Sequence, residues 1–129
     1  MIIREWTPDD YPVLEKWWNA HGWPAVPQQM LPACGIIVED DGQPKAAIFA
    51  YMDHSTPFAM IEWLVTDPES KSPTAIKHAI KGIMRIVRRH GREHMMTSSN
   101  NPLLIKMFEK YGFKQTDKEM THLICMGGE

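Results

Sequence analysis

Ser98-Ser99-Asn100-Asn101-Pro102 runs straight into Leu103-Leu104-Ile105-Lys106-Met107-Phe108-Glu109-Lys110-Tyr111-Gly112-Phe113. The pattern is a short helix with both ends marked. Asn100 or Asn101 caps the start, and Pro102 suits the first helical position, where its missing N–H is not needed. Leu104, Met107, Phe108 and Tyr111 recur at spacings of three and four, giving one apolar stripe. Gly112 stands where a left-handed residue ends a helix, with apolar Phe113 behind it. Strands are predicted on both sides, over residues 94–98 before it and 120–126 after it.

Working outward, the chain alternates strands and helices, with no repeat or low-complexity segment. Residues 2–5 read as a strand, and Thr7-Pro8-Asp9-Asp10 opens a helix over residues 8–20 with acids in its first turn. His21-Gly22-Trp23-Pro24 ends that helix. Pro24, Pro27 and Pro32 then keep the chain irregular apart from one turn near residues 28–31. Strands over 35–39 and 45–52 are joined by Asp40-Asp41-Gly42-Gln43-Pro44, a hairpin signal. A strand over 59–66 and a polar loop over 67–73 follow. Ile76, Ile80, Ile83, Met84 and Val87 mark the buried face of a long helix ending at Gly91. The order β-α-(α)-β-β-β-α-β-α-β predicts an α/β fold around a central sheet.

Composition narrows the functional classes. At 129 residues the chain fits one domain over 1–129. It is 43% hydrophobic without a long uncharged apolar run, so no membrane span is expected. The first residues carry acids and no apolar core of a signal peptide. With only two cysteines, Cys34 and Cys125, a cytoplasmic protein with free thiols is expected rather than a disulfide framework. A formal net charge of -2 gives no general pull toward nucleic acid.

The stretch from Asn101 through Phe108 to Gly112-Phe113 closely resembles the C-terminal motif of the GNAT (GCN5-related N-acetyltransferase) superfamily, and the order of elements is similar across nearly the whole chain. The resemblance implies an acyl-CoA N-acyltransferase fold: a mixed central sheet flanked by helices and splayed between its fourth and fifth strands, with acetyl-CoA in the split. It implies an acetyl-CoA-dependent N-acetyltransferase whose acceptor is a small-molecule or protein amine. Trp17-Trp18, His21-Gly22-Trp23-Pro24 and Glu62-Trp63-Leu64-Val65 further resemble small GNAT-like proteins that bacteriophages encode.

The resemblance assigns roles to individual residues. A main-chain N–H at Leu64 or Val65 would hold the thioester carbonyl. Glu62 is the candidate base. On an alternating strand it shares a face with Met60 and Leu64, and apolar neighbours would push its pKa up. The plain alternative is a solvated or ion-paired Glu. In place of Arg/Gln-x-x-Gly-x-Gly/Ala the chain has Ser70-Lys71-Ser72-Pro73-Thr74-Ala75, where only Ala75 fits and Pro73 removes a donor. Ser72 would cap the helix and leave the amides of Thr74, Ala75 and Ile76 for a phosphate, with Lys71 adding charge. A capped helix that binds nothing reads equally well. Counting seven from Asn101 reaches Phe108, which lacks the hydroxyl of the family's usual Tyr; Tyr111, one turn on, could stand in or be core packing. Asn101 would contact the pantetheine or a bound water.

Trp18, His21, Trp23 and Met30 fall where the family builds its acceptor wall. Of the adjacent Trp17 and Trp18, one is expected inward, or both lie beneath the Pro-rich segment. Lys77, Lys81, Arg85 and Arg88 share a helix face, a solvated face or an attraction for an anion; nucleic acid is the weaker expectation. No metal is expected, since neither His90 with His94 nor His54 with Asp53 has further ligands at hand. The departures at residues 70–75 and at Phe108 leave a rival: a catalytically degenerate scaffold that binds and modulates a host protein. Open sheet edges would allow a homodimer.

Overall fold

Asp41 and Gly42, with φ of 52° and 74°, form a two-residue turn that folds β2 (Gly35–Asp40) back onto β3 (Gln43–Met52). Both positions need left-handed backbone, which Asp tolerates and Gly adopts freely. This hairpin is the centre of a computed structural model that describes residues 1–70, 72–116 and 123. β1 (Ile2–Glu5) and β4 (Phe58–Thr66) pair antiparallel on either side of it, and β5 (His94–Met96) joins β4 in parallel. The sheet order is therefore β1-β2-β3-β4-β5, a mixed sheet as predicted. Of the strand expected over 120–126, all but the exposed Leu123 lies outside the described residues.

Helices cover both faces. α1 (Tyr11–Ala20) packs Leu14, Trp17 and Trp18 against Ile37, Ala47, Phe49 and Val65. α2 (Pro73–Arg89) and α3 (Pro102–Lys110) cover the opposite face, where Ile80, Ile83 and Val87 meet Ile36, Ile48 and Ile61. All six of those residues are 1% exposed or less, so burial of this face is the main stabilising term. The predicted helix over 8–20 is divided: Pro8–Asp10 is a turn of 3-10 helix, and α1 begins at Tyr11 with Pro12 in its first turn. Trp17 and Trp18 are both buried, at 5% and 3%, because the Pro-rich segment folds over them.

Two details fix the layers. A Cβ on Gly35 would lie 2.4 Å from Phe49 Cδ1 and 2.6 Å from Trp6 Cδ1, so only glycine lets that aromatic pair close over β2. At the outer edge Arg4 donates to Asp10 Oδ1 at 2.7 Å and lies 3.2 Å from Glu39, tying β1 to the entry of α1 and to β2. The Arg4 hydrogen bond holds the Asp10 carboxyl below its ordinary range, so this clamp persists into mild acid.

Candidate functional site

β4 and β5 are zipped for only three residue pairs, Phe58↔His94, Ala59↔Met95 and Met60↔Met96. β4 continues to Thr66 while β5 stops, two residues short of the predicted strand. The reason is local. Thr97 turns its hydroxyl onto Ile61 O at 2.8 Å, and Ser99 Oγ accepts from Asn101 N at 3.1 Å, so the chain bends into the cap of α3. Past that last tie the strands part, and a cavity of about 700 Å³ opens between them. Residues 61–64 form one wall and residues 97–101, with Leu104 and Phe108, the other. Trp18, Trp23, Val26 and Met30 close the top.

The β4 wall is irregular, and this corrects the alternation expected from sequence. Phe49 pairs with Glu62 and Ala47 with Val65, so Ile48 alone faces both Trp63 and Leu64. This is a β-bulge, with Trp63 in left-handed backbone at φ 61°. The extra residue shifts every later side chain to the opposite face. Leu64 therefore packs with Ile61 against the α2 side, while Trp63 and Val65 join the α1 side with Phe49, the cross-strand partner of Glu62. Glu62 does not share a face with Leu64. It is half-buried and, among the described residues that line the cavity, the only ionisable one. Leu64 also lines the cavity, whereas Val65 is 1% exposed and does not.

The upper wall lacks regular structure apart from a 3-10 turn at Gln28–Met30, yet aromatic side chains hold it. Tyr11 Oη donates to Val26 O at 2.7 Å, Trp6 Nε1 to Pro32 O at 2.9 Å, and Tyr51 Oη to Met30 O. Trp63 Nε1 in turn donates to Tyr51 Oη at 2.7 Å, coupling the bulge to the loop. Sequence reasoning missed Trp63 and Thr97 as site residues. No local signal marks Trp63, because its left-handed backbone opposes the preference of any bulky side chain. The small polar run from Thr97 to Asn101 was a usable signal, since such residues between a strand and a helix bend the chain through their own hydrogen bonds.

The remaining predicted residues divide. Asn101 and Phe108 line the cavity, as do Trp18, Trp23 and Met30. Asn101 Oδ1 already accepts from Leu103 N at 2.9 Å and Leu104 N at 3.3 Å, which settles it as the cap of α3. His21 lies outside the lining; it stacks on Trp23 at 4.6 Å and its Nε2 meets Thr66 O. Ser72, Thr74 and Ala75 are also outside it, and Lys71 is not among the described residues. The expectation of unengaged amides there is corrected: Ser72 Oγ accepts from Ala75 N at 3.2 Å, and Ser72 O from Ile76 N at 3.4 Å. Tyr111 does not approach Glu62 through the cavity either. It is the C-cap residue just past the end of α3 and faces a groove lined by Lys81, Met84, Arg85, Arg88 and Arg89. Lys77, Lys81, Arg85, Arg88 and Arg89 are all exposed on α2.

Other chemistry is sparse. Burial, and then Glu5, push the half-buried Cys34 thiol up, which makes it a poor nucleophile. Among the described residues no three His, Cys, Asp or Glu side chains are grouped to hold a metal ion, and no helix is long and apolar enough to cross a membrane.

A family model described as acetyltransferase (GNAT) family matches residues 2–113. No curated protein matches the sequence significantly. Among solved structures, the chain superposes on the ribosomal-protein-S18-alanine N-acetyltransferase from Escherichia coli with a TM-score of 0.75, at 13% identity, over 90% of this chain and 79% of that one. The ribosomal-protein-alanine N-acetyltransferase from Brucella melitensis gives 0.70 and 13% over 88% and 85%. N-acetylglutamate synthase from Neisseria gonorrhoeae, solved with coenzyme A and N-acetyl-glutamate, gives 0.73 and 18% over 88% of this chain but 28% of that one. At such identities the likeness is one of fold.

Proposed function

This chain belongs to the acetyltransferase (GNAT) family, and from that premise we propose that it transfers an acetyl group from acetyl-CoA to an amine by direct attack. The observation that carries the reading is the wedge between β4 and β5, which leaves the edge of β4 open beside Glu62. Its volume of about 700 Å³ suits a small-molecule site. Its polar wall, Thr97 to Asn101, offers hydroxyls and amides without charge to a pantetheine chain. The neighbour from Neisseria gonorrhoeae was solved with coenzyme A, which agrees with this use.

Acetyl-CoA supplies an activated carbonyl. The Leu64 main-chain N–H is suited to polarise its oxygen, being at the bulge and on the lining. Glu62 takes the proton from the attacking amine as the nitrogen–carbon bond forms and the carbon–sulfur bond breaks. We assign no acid to the leaving thiolate, since Phe108 has no hydroxyl and Tyr111 faces elsewhere. The thiolate then takes its proton from solvent. Phosphates would rest on Thr74 and Lys71 near the start of α2, a weaker hold than a glycine-rich loop.

That weak hold favours a second reading, a degenerate GNAT-like scaffold that binds a host protein. Calorimetric titration separates the two. Micromolar acetyl-CoA binding, weakened several-fold by Lys71→Ala, supports the enzyme. No heat at millimolar acetyl-CoA would leave the scaffold.

A further inference from the structure

α2 carries five cations, Lys77, Lys81, Arg85, Arg88 and Arg89, and no acid anywhere along its length. All five side chains are exposed. Lys77, Lys81, Arg85 and Arg89 follow at steps of four, and Arg88 lies three past Arg85, so like charges meet on successive turns. Such pairs weaken a helix. The helix dipole accounts for Arg88 and Arg89 in the last turn, but not for Lys77 near the positive end. Among the described residues none of the five makes an ion pair; the pairs there both belong to Arg4. Residues 117–122 and 124–129 hold three acids, Asp117, Glu119 and Glu129, and one lysine. All three acids placed on this face would still leave it positive.

The cations also have a shape around them. Lys81, Arg85, Arg88 and Arg89 line a groove of about 480 Å³ together with Met84 and Tyr111. Charge is therefore combined with one thioether and one half-buried aromatic ring. Three of the four groove cations are arginines, whose planar forks hold a carboxylate through two hydrogen bonds. None of these residues lines the wedge, so the groove is a separate site. Nucleic acid fits it less well. Single-stranded chains are held by repeated aromatic platforms between cations, and this groove has one tyrosine. The whole chain has a net charge of -2, so the rest of it is acidic in sum and repels a polyanion that runs past the groove. A short acidic segment of protein ends where the groove ends.

We propose that this groove docks a short acidic segment of a partner protein. Its carboxylates sit on Lys81, Arg85, Arg88 and Arg89, and an apolar or aromatic side chain between them packs on Met84 and Tyr111. The docking goes beyond acetyl transfer and does not rest on it, since an enzyme and a scaffold can both recruit a protein through this face.

The test is fluorescence polarisation of a labelled Glu-Asp-Glu-Phe-Glu-Asp-Glu peptide titrated with the full chain at about 50 mM salt, where screening is weak. The peptide should bind at least about tenfold more tightly than oligouridylate of the same length. Arg85→Glu should weaken peptide binding about tenfold or more. Lys16→Glu makes the same charge change on the exposed side of α1, across the sheet, and should alter it by less than about twofold. Tyr111→Ala should weaken it several-fold while the salt dependence stays the same, because no charge is removed. A chain that binds the peptide but no acetyl-CoA would keep this site and lose the transfer reading. No peptide binding at low salt, equal weakening by Arg85→Glu and Lys16→Glu, or tighter binding of oligouridylate would overturn the proposal.

Discussion

The two halves of β4 lie in one strand and behave differently. Residues 58–60 are hydrogen-bonded on both edges, to β3 and to β5. Among the described residues, 61–64 have no strand partner on the β5 side and only the Thr97 hydroxyl on Ile61 O there; they carry the bulge and place Glu62, Trp63 and Leu64 on a cavity. The difference shows that the site comes from an interruption of the sheet rather than from an added element. One threonine hydroxyl and one left-handed tryptophan separate a closed sheet from an open wedge.

The sharpest way to break this comparison is Glu62→Gln. It should lower kcat by about 10²–10⁴-fold, the range for loss of a positioned base, with little change in thermal midpoint. Unaltered turnover would show that Glu62 takes no proton. Ile61→Ala probes the packing beneath the wedge. Ile61 is fully buried, so about 2–5 kcal/mol of stability should be lost in urea unfolding. Next comes the bulge itself. Because glycine accepts a positive φ and alanine does not, Trp63→Gly should be about 1 kcal/mol more stable than Trp63→Ala. The reverse order would argue against the left-handed residue. Smallest is Thr97→Val, which deletes the donor to Ile61 O and should cost about 1 kcal/mol while faster hydrogen exchange spreads along β5.

Much of the fold was legible because its signals are local. Asp41-Gly42, Asn101-Pro102 and Gly112 each announce a backbone conformation that few other residues adopt, and each element they bound is present. The site was legible only in part. Glu62, Trp18, Trp23, Met30, Asn101 and Phe108 converge on the cavity. The bulge was not readable, since a tryptophan at positive φ is imposed by tertiary packing against its own preference. The pinned loop was not readable either: Trp6 reaches Pro32 across 26 residues and Tyr51 reaches Met30 across 21. Ser72 was read correctly as a cap, but the same hydroxyl that starts α2 also engages the Ala75 amide once expected to remain available.

Amide chemical shifts recorded while the full chain is titrated with acetyl-CoA test the wedge most directly. The account predicts the largest changes at residues 61–64 of β4 and 97–104 leading into α3, with residues 58–60 nearly still. Changes confined to the exposed cations of α2, or none at millimolar acetyl-CoA, would contradict it.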